Sequence, residues 1–264
     1  MEAIRIENLT KTYKDVVAVD RLNLTVERGE LFALLGVNGA GKTTTIKMLS
    51  CLTEPTSGDV LYFKGPKRTE NVDAHKQKRD LESSAFSIWK NPTEIKQMIG
   101  VSPQETAVAP GLTVRENLEL MCGVHGFTKA KREAKVAELM ALLDLEGVSK
   151  RKAGKLSGGW QRRLSIAMAL ISEPEILFLD EPTLGLDVIA RSELWDLIRG
   201  LKGRITIILT THYMEEAEAL SDRIAIMKDG RLLTCATAEE IKQSTGADKF
   251  EEAFIRIVRG GDAR

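Results

Sequence analysis

Residues 36–43 read Gly36-Val37-Asn38-Gly39-Ala40-Gly41-Lys42-Thr43. This loop follows an uninterrupted apolar run, 31–35, and precedes a stretch, 42–51, whose pattern suits a helix. A glycine-rich loop of this spacing between a strand and a helix lets backbone N–H groups approach phosphates closely. Lys42 can then neutralise the β- and γ-phosphate oxygens, and the Thr43 hydroxyl can ligate magnesium. The sequence therefore predicts a nucleotide-phosphate site at this loop.

Two carboxylates follow a second apolar strand. The run 176–179 ends directly in Asp180 and Glu181. Ligands of open α/β folds bind at the carboxyl ends of the strands, which puts both side chains beside the predicted phosphate site. Asp180 would hold magnesium, and Glu181 would polarise the water that attacks the γ-phosphate. Taken alone, such a pair is more often a solvated helix start.

A third motif, Leu156-Ser157-Gly158-Gly159, precedes a helix that begins with Gln161 and Arg162. A serine hydroxyl, bare backbone amides and the positive end of a helix dipole together make an anion site. By itself the motif could be only a flexible helix start. Between the phosphate loop and the carboxylate strand, however, it resembles the signature motif of the ABC ATPases, and the resemblance covers residues 1 to about 240.

This resemblance implies roles for four further residues. Tyr13 corresponds to the aromatic residue that stacks on adenine, and Gln104 to the Q-loop glutamine that contacts magnesium and the attacking water. Asp187 corresponds to the D-loop aspartate and His212 to the switch histidine that reaches the γ-phosphate. A surface tyrosine and an ordinary loop glutamine are the alternatives for the first two.

The implied site is a set of three overlapping groups. The catalytic residues are Glu181, His212, Gln104 and Lys42. The metal ligands are Thr43, Gln104 and Asp180. The residues that bind ATP are Tyr13, Gly36, Asn38, Gly39, Ala40, Gly41, Lys42, Thr43, Thr44, Ser157, Gly158, Gly159 and Asp187.

The pattern of elements predicts an α/β fold. Alternating residues over 4–32 indicate short strands of a half-exposed antiparallel sheet, and helical spacing over 114–145 indicates a helical region. Buried strands separated by a helix imply a parallel sheet covered by helices. The resemblance implies a P-loop NTPase (RecA-like) core with a mainly parallel sheet, an N-terminal antiparallel β subdomain and a helical subdomain that carries the signature motif.

The expected domain boundaries follow from these elements. We expect one ABC ATPase domain at 1–240, with its core at 1–100 and 161–232 and the helical subdomain at 101–160. A short helical tail is expected at 233–264. The polar stretch 64–90 is expected to be an exposed insertion. The helix between the last two buried strands is expected to turn Ile189, Leu194 and Leu197 inward.

Composition narrows the class of protein. The chain has 264 residues, enough for one compact unit, and its 38 basic and 38 acidic side chains cancel, so nucleic acid is not an expected partner. The three cysteines lie far apart, which suits a reducing compartment. No signal-peptide core and no run of about eighteen uncharged apolar residues is present, so we expect a cytoplasmic chain that does not span a bilayer by itself.

The resemblance also implies partners. ATP would lie between the phosphate loop of one subunit and the signature of a second, so a homodimer is expected, with Mg²⁺ as cofactor. Separate transmembrane permease subunits would receive the motion, at the cytoplasmic face of the cell membrane. The run 212–231 is similar to prokaryotic ABC-2 type drug-resistance and export subunits, which favours export.

Three other functions remain to be distinguished at this point. A soluble ABC ATPase acting on ribosomes or nucleic acid usually has two fused cassettes or a long coiled-coil insertion. A GTPase or small-molecule kinase would leave the signature motif unexplained, and the guanine-reading motif Asn-Lys-x-Asp is absent. A catalytically dead regulatory subunit is expected to lack Glu181, His212 or Lys42, and all three are present.

One residue departs from the family pattern. Trp160 stands where the family usually has glutamine, directly after the signature glycines. The contact made by that glutamine is therefore not carried over to this chain. Because Ser157 and the glycine backbone bind most of the phosphate, we expect the motif to work, with Trp160 packed near the nucleotide or the facing subunit.

Overall fold

A computed structural model describes residues 1–65 and 85–260 of the chain. In chain order its strands β1 to β10 are Glu2–Tyr13, Val16–Glu27, Leu31–Gly36, Ser57–Phe63, Ala85–Ser87, Ile99–Ser102, Ile176–Asp180, Thr206–Thr211, Arg223–Lys228 and Arg231–Ala236. Its helices α1 to α9 are Lys42–Leu49, Pro92–Met98, Val114–Val124, Lys129–Leu142, Gly158–Ala169, Val188–Leu201, Met214–Leu220, Ala238–Thr245 and Phe250–Gly260.

An antiparallel sheet in the order β2-β1-β4-β5 is built from the first part of the chain. Strand β1 lies at its centre, with Ile4 opposite Val26 of β2 and Tyr62 of β4. The antiparallel prediction is confirmed, but β1 and β2 are long strands of 12 residues each. Strand β5 falls inside the stretch predicted as an insertion, and residues 66–84 of that stretch lie outside the described residues.

The second sheet has the order β10-β9-β3-β8-β7-β6. Its strands from β9 to β6 run parallel, and β10 pairs antiparallel with β9 at one edge. Side chains of β3 alternate between two apolar clusters: Leu31, Ala33 and Leu35 pack in one, and Phe32 and Leu34 in the other. Burial on both faces explains why this strand reads as a continuous apolar run. The predicted mainly parallel α/β core is confirmed.

Two predicted boundaries need to move because they fall inside strands. The limit between core and helical subdomain, placed after residue 100, lies within β6, which pairs with β7 in the parallel sheet. The expected start of the tail, residue 233, lies within β10. Helices α8 and α9 then follow, and they bury Ile241, Phe250 and Phe254 in the same apolar cluster as the core.

Helices α3 and α4 form the helical region between β6 and the signature motif. Thr113 caps α3 in a reciprocal capping box with Glu116, and the Thr128 side chain caps α4. The apolar stripe predicted for α4 and the residue after it is buried, at Val136, Leu139, Met140 and Leu143. No helix of the described parts, 1–65 and 85–260, is long and apolar enough to cross a membrane.

The expected inner face of α6 is wrong at one residue. Leu194 is buried and Leu197 packs against the core, but the Ile189 side chain is 73% exposed. Five helical positions of about 100° each separate Ile189 from Leu194, which puts the two side chains on different faces of the helix.

We expect Leu139→Ala to lower the free energy of unfolding by about 2–5 kcal/mol, because Leu139 is 1% exposed and its removal leaves a cavity. Urea unfolding followed by circular dichroism measures the change. Leu120→Ala is the matched control: that side chain is 50% exposed on α3, and its loss should cost no more than about 0.5 kcal/mol. Equal losses in the two variants would contradict the packing of α4.

Candidate functional site

A cavity of about 360 Å³ lies at the carboxyl ends of β3, β7 and β8. It is lined by Ala18, Asn38, Gly39, Ala40, Gly41, Lys42, Thr43, Thr44, Gln104, Glu181, Leu184 and His212. Most of the predicted phosphate loop therefore meets the predicted glutamine, carboxylate and histidine in one place. The sheet explains this meeting, because parallel strands bring their following loops to the same edge.

Close backbone packing requires glycine at both ends of the phosphate loop. A Cβ atom on Gly36 would lie 2.4 Å from the Met227 carbonyl oxygen, and one on Gly41 would lie 2.4 Å from the Ala18 carbonyl oxygen. Gly41 also has φ +99°, a conformation that side chains disfavour. The loop is thus held against β9 and β2, and the N-terminus of α1 opens into the cavity, as an anion site needs.

Lys42 is buried at the start of α1 and points back along the loop. Its Nζ donates hydrogen bonds to the carbonyl oxygens of Gly36, at 2.8 Å, and Val37, at 3.3 Å. The same atom lies 3.4 Å from Glu181 Oε1. The ammonium group is therefore fixed at the wall of the cavity, within reach of both the loop and the Glu181 carboxylate.

Asp180 and Thr43 meet beside the cavity. Asp180 Oδ1 accepts hydrogen bonds from the hydroxyls of Thr43, at 3.2 Å, and Thr210, at 2.6 Å. A hydroxyl and a carboxylate are hard oxygen donors, which suit Mg²⁺. In the described part of the chain no three His, Cys, Asp or Glu side chains cluster as a metal cage. Mg²⁺ is usually held by one or two carboxylates together with substrate phosphates, so this pair fits it.

Glu181 follows Asp180 in a backbone conformation rare for a residue with a side chain, with φ +49°. The Glu181 amide donates a hydrogen bond to the Thr210 hydroxyl at 3.0 Å. Glu181 Oε2 lies 2.6 Å from His212 Nδ1, and Glu181 Oε1 faces Lys42. The carboxylate is therefore fixed at the cavity wall between two basic side chains, where it can take a proton from a water molecule.

Gln104 reaches the cavity from the loop that follows β6. Its backbone is held by Arg162, whose Nη2 donates to the Gln104 carbonyl oxygen at 2.7 Å. Sequence reasoning did not assign Arg162 or Thr210 a role at the site. The sequence around Arg162 gave little signal, because its direct neighbours are Gln161 and Arg163 and the apolar residues Leu164, Ile166 and Ala167 only follow them.

The signature motif, Tyr13 and Asp187 do not line this cavity. Ser157 is the exposed N-cap of α5, and its side chain makes no capping hydrogen bond. Asp187 caps α6, where its Oδ1 accepts from the Ala190 amide at 2.9 Å. Tyr13 is 45% exposed at the end of β1, with Lys11 Nζ 4.9 Å from its ring centre. Within one chain these predicted ATP-binding residues therefore lie outside the lining of the cavity that holds the phosphate loop.

Trp160 packs within its own chain. It lies partly buried against the apolar core, and the Arg163 guanidinium stacks on its ring at 4.6 Å. Arg163 in turn pairs with Asp144, at 3.0 Å, and with Glu193, at 2.6 Å. The tryptophan therefore packs on α5 beside the signature motif, and its position near nucleotide or a facing subunit stays a prediction.

A buried carboxyl group lies behind the site on α7. Glu216 is fully buried, and its Oε1 accepts a hydrogen bond from Trp195 Nε1 at 3.1 Å. Burial raises the pKa of Glu216 above its ordinary value, and the neighbouring Glu181 raises it further. Through this hydrogen bond Glu216 connects α7, which follows His212, to α6, which follows Asp187. Sequence reasoning did not identify Glu216.

The chain is similar to proteins of known family. The family model described as ABC transporter matches residues 19–184. A daunorubicin resistance ATP-binding protein of Streptomyces coeruleorubidus is 38% identical over 94% of this chain and 72% of its own length. A Nod factor export ATP-binding protein of Burkholderia lata is 38% identical over 94% of this chain and 75% of its own. A solved dimeric, post-hydrolysis ATP-binding cassette with bound ADP and phosphate superposes with TM-score 0.70 and 28% identity, covering 89% of this chain and 98% of that one.

Proposed function

This chain belongs to the ABC transporter family and is one of its ATPases, and from that premise we propose that it is the motor of an exporter. ATPases of this family dimerise and work with membrane subunits. We propose that two copies of this chain pair as a homodimer on ATP and deliver their closing and opening to separate permease subunits at the membrane.

The main support for the proposal is that the groups expected to bind phosphate lie in separate places within one chain. The cavity supplies Lys42, Gln104, Glu181 and His212, whereas the free hydroxyl of Ser157 lies exposed elsewhere at the start of a helix. A helix N-terminus with an uncommitted hydroxyl is ready to bind an anion. A second copy of the chain would bring its Ser157 to the γ-phosphate held by the first.

In this proposal each group at the cavity has one task. The loop amides and Lys42 hold the phosphates, and Glu181 accepts the proton of the attacking water. His212 orients Glu181 and reaches towards the γ-phosphate. Thr43 and Asp180, with Gln104 beside them, would hold Mg²⁺, which neutralises phosphate charge when bound. Negative charge on the γ-phosphate would attract both chains, and its loss on hydrolysis would let them separate.

Export is favoured by the relatives. Two of them are a daunorubicin resistance ATP-binding protein and a Nod factor export ATP-binding protein, and both are similar in sequence over most of their length. A soluble ABC ATPase acting on ribosomes or nucleic acid is not favoured by these similarities or by the zero net charge of the chain. We propose Tyr13 for the adenine contact and Asp187 for the contact between the two chains.

Mixing two inactive variants tests the shared site. Lys42→Met removes the phosphate-loop cation, and Ser157→Glu places a like charge at the exposed anion site, so neither variant alone should hydrolyse ATP. In mixed dimers one site combines an intact cavity with an intact signature. Random pairing of equal amounts should therefore restore roughly a quarter of the wild-type ATPase rate.

The control for this experiment is a mixture of Lys42→Met with Glu181→Gln. Lys42 Nζ and Glu181 Oε1 lie 3.4 Å apart in one chain, so both changes damage the same half of the site and no mixture should recover activity. Absence of recovery with Ser157→Glu at every mixing ratio would contradict a site shared between two chains.

A further inference from the structure

Arg162 is a buried cation of the signature helix that contacts the catalytic half of the same chain. It lies one turn into α5 and is 4% exposed. Its Nη1 donates to the Pro103 carbonyl oxygen at 2.6 Å, and its Nη2 donates to the Gln104 carbonyl oxygen at 2.7 Å. Nη2 also lies 3.5 Å from the Glu181 carbonyl oxygen. A single guanidinium thus connects α5 to the backbone at two residues of the cavity.

The shape of the guanidinium gives these contacts directional strength. Its two terminal nitrogens lie in one rigid plane, and here they bind the carbonyl oxygens of consecutive residues. Such a fork fixes the orientation of the backbone as well as its distance, and hydrogen bonds from a charged donor are stronger than neutral ones. The Cα atom of Gln104, and with it the direction of its side chain, is therefore held relative to α5.

A second buried side chain holds the far end of the loop that joins β6 to α3. Asn117 of α3 is fully buried, and its Oδ1 accepts from the Ala109 amide at 2.8 Å. Its Nδ2 donates to the carbonyl oxygens of Ala109, at 3.2 Å, and Thr113, at 2.9 Å. The loop from β6 to α3 is consequently fixed at 103–104 by α5 and at 109–113 by α3. Gln104 takes its position at the cavity from the first of these two attachments.

We propose that Arg162 is a positioning residue for ATP hydrolysis, which sets the place of the Gln104 side chain at the cavity through the backbone of Pro103 and Gln104. The proposal rests on the function of Gln104 proposed above. Because α5 begins at the signature motif, the same contact ties movement of that motif to the geometry of the chain's own ATP site. Among the residues that line the cavity, Arg162 hydrogen-bonds only to the carbonyl oxygens of Gln104 and Glu181.

A double-mutant cycle with Gln104 tests the proposal. In the full chain we expect Arg162→Met to lower kcat for ATP about tenfold to a hundredfold, the size of effect that a small misplacement of a catalytic group produces. Affinity for ATP, measured by equilibrium binding to the single chain, should change less than about twofold, because the phosphate-loop amides are untouched. In a Gln104→Ala background the same change should lower kcat less than about twofold, because the side chain that Arg162 positions is already gone.

Arg163→Met is the matched control for this cycle. Arg163 is the next residue of α5 and is also buried, but its partners are the side chains of Asp144 and Glu193. The factor by which Arg163→Met lowers kcat should therefore be the same in the wild-type and the Gln104→Ala backgrounds. Arg162→Lys should behave like Arg162→Met, since an ammonium cannot hold two carbonyl groups in one plane.

The outcomes separate this proposal from the proposed function. An equal loss for Arg162→Met in both backgrounds, or no loss in the wild-type background, would overturn the positioning role while leaving ATP hydrolysis by Glu181 untouched. A melting temperature lowered alike in the Arg162 and Arg163 variants, together with equal loss of kcat, would assign Arg162 to stability alone. Failure of the proposed function would instead appear as wild-type activity that does not depend on Glu181.

Discussion

Replacing Glu181 by glutamine should slow ATP turnover by about a hundredfold or more, the usual contribution of a general base. Glutamine keeps the size of the side chain and can still face Lys42 and His212, but it cannot accept a proton from water. ATP should bind with nearly unchanged affinity, since Glu181 is not part of the phosphate loop. Steady-state kinetics and equilibrium binding on the purified chain measure the two quantities.

The same variant should accumulate the closed dimer when ATP is added. If the γ-phosphate holds two chains together, slower hydrolysis prolongs that state, and size-exclusion chromatography with ATP should show more dimer than for the wild type. Glu215→Gln is the control, because it removes an exposed carboxylate from the neighbouring helix α7. A turnover number for Glu181→Gln equal to that of the wild type would exclude Glu181 as the base.

Replacing Lys42 by methionine should weaken ATP binding by about 10²- to 10³-fold, because removing one partner of a buried ion pair leaves the other charge uncompensated. Here the uncompensated groups are the phosphates and Glu181, which lies 3.4 Å from Lys42 Nζ. Hydrolysis should fall at least as far as binding. Isothermal titration with ATP measures the first effect, and phosphate release measures the second.

Lys47→Met controls for the loss of a positive charge on the same helix. Lys47 is exposed in the last turn of α1, at the opposite end of the helix from the phosphate loop. Its replacement should leave ATP affinity within about twofold of the wild type, since a solvent-exposed charge interacts only weakly through water. Equal losses of affinity at Lys42 and Lys47 would show that general electrostatic attraction, rather than the loop geometry, binds ATP.

The local sequence was sufficient to predict those parts of the site that are formed by one strand and the loop directly after it. The phosphate loop and the Asp180-Glu181 pair each follow a run of buried residues, and the parallel sheet then brings both to one edge. Gln104 and His212 were placed by resemblance, and the structure brings both into the cavity.

Contacts between elements distant in sequence were not predictable from local pattern. Arg162 and Thr210 acquire their roles only when α5 packs beside β6 and β8 pairs with β7, and the neighbouring residues in the sequence do not indicate that packing. Ile189 was assigned to the inner face because it is apolar, yet it is exposed at the start of α6. The boundaries at residues 100 and 233 failed for a related reason, since short strands at sheet edges depend on their partners.

The position of β3 in its sheet has a consequence for biosynthesis. Its two neighbours are β8 and β9, with Leu31 opposite Ile207 and Phe32 opposite Arg223. A nascent chain therefore carries its phosphate loop without a sheet to hold it until β9 has left the ribosome. At ordinary elongation rates that interval lasts about 10 to 40 s, during which apolar residues 31–35 depend on the antiparallel sheet or on chaperones for cover.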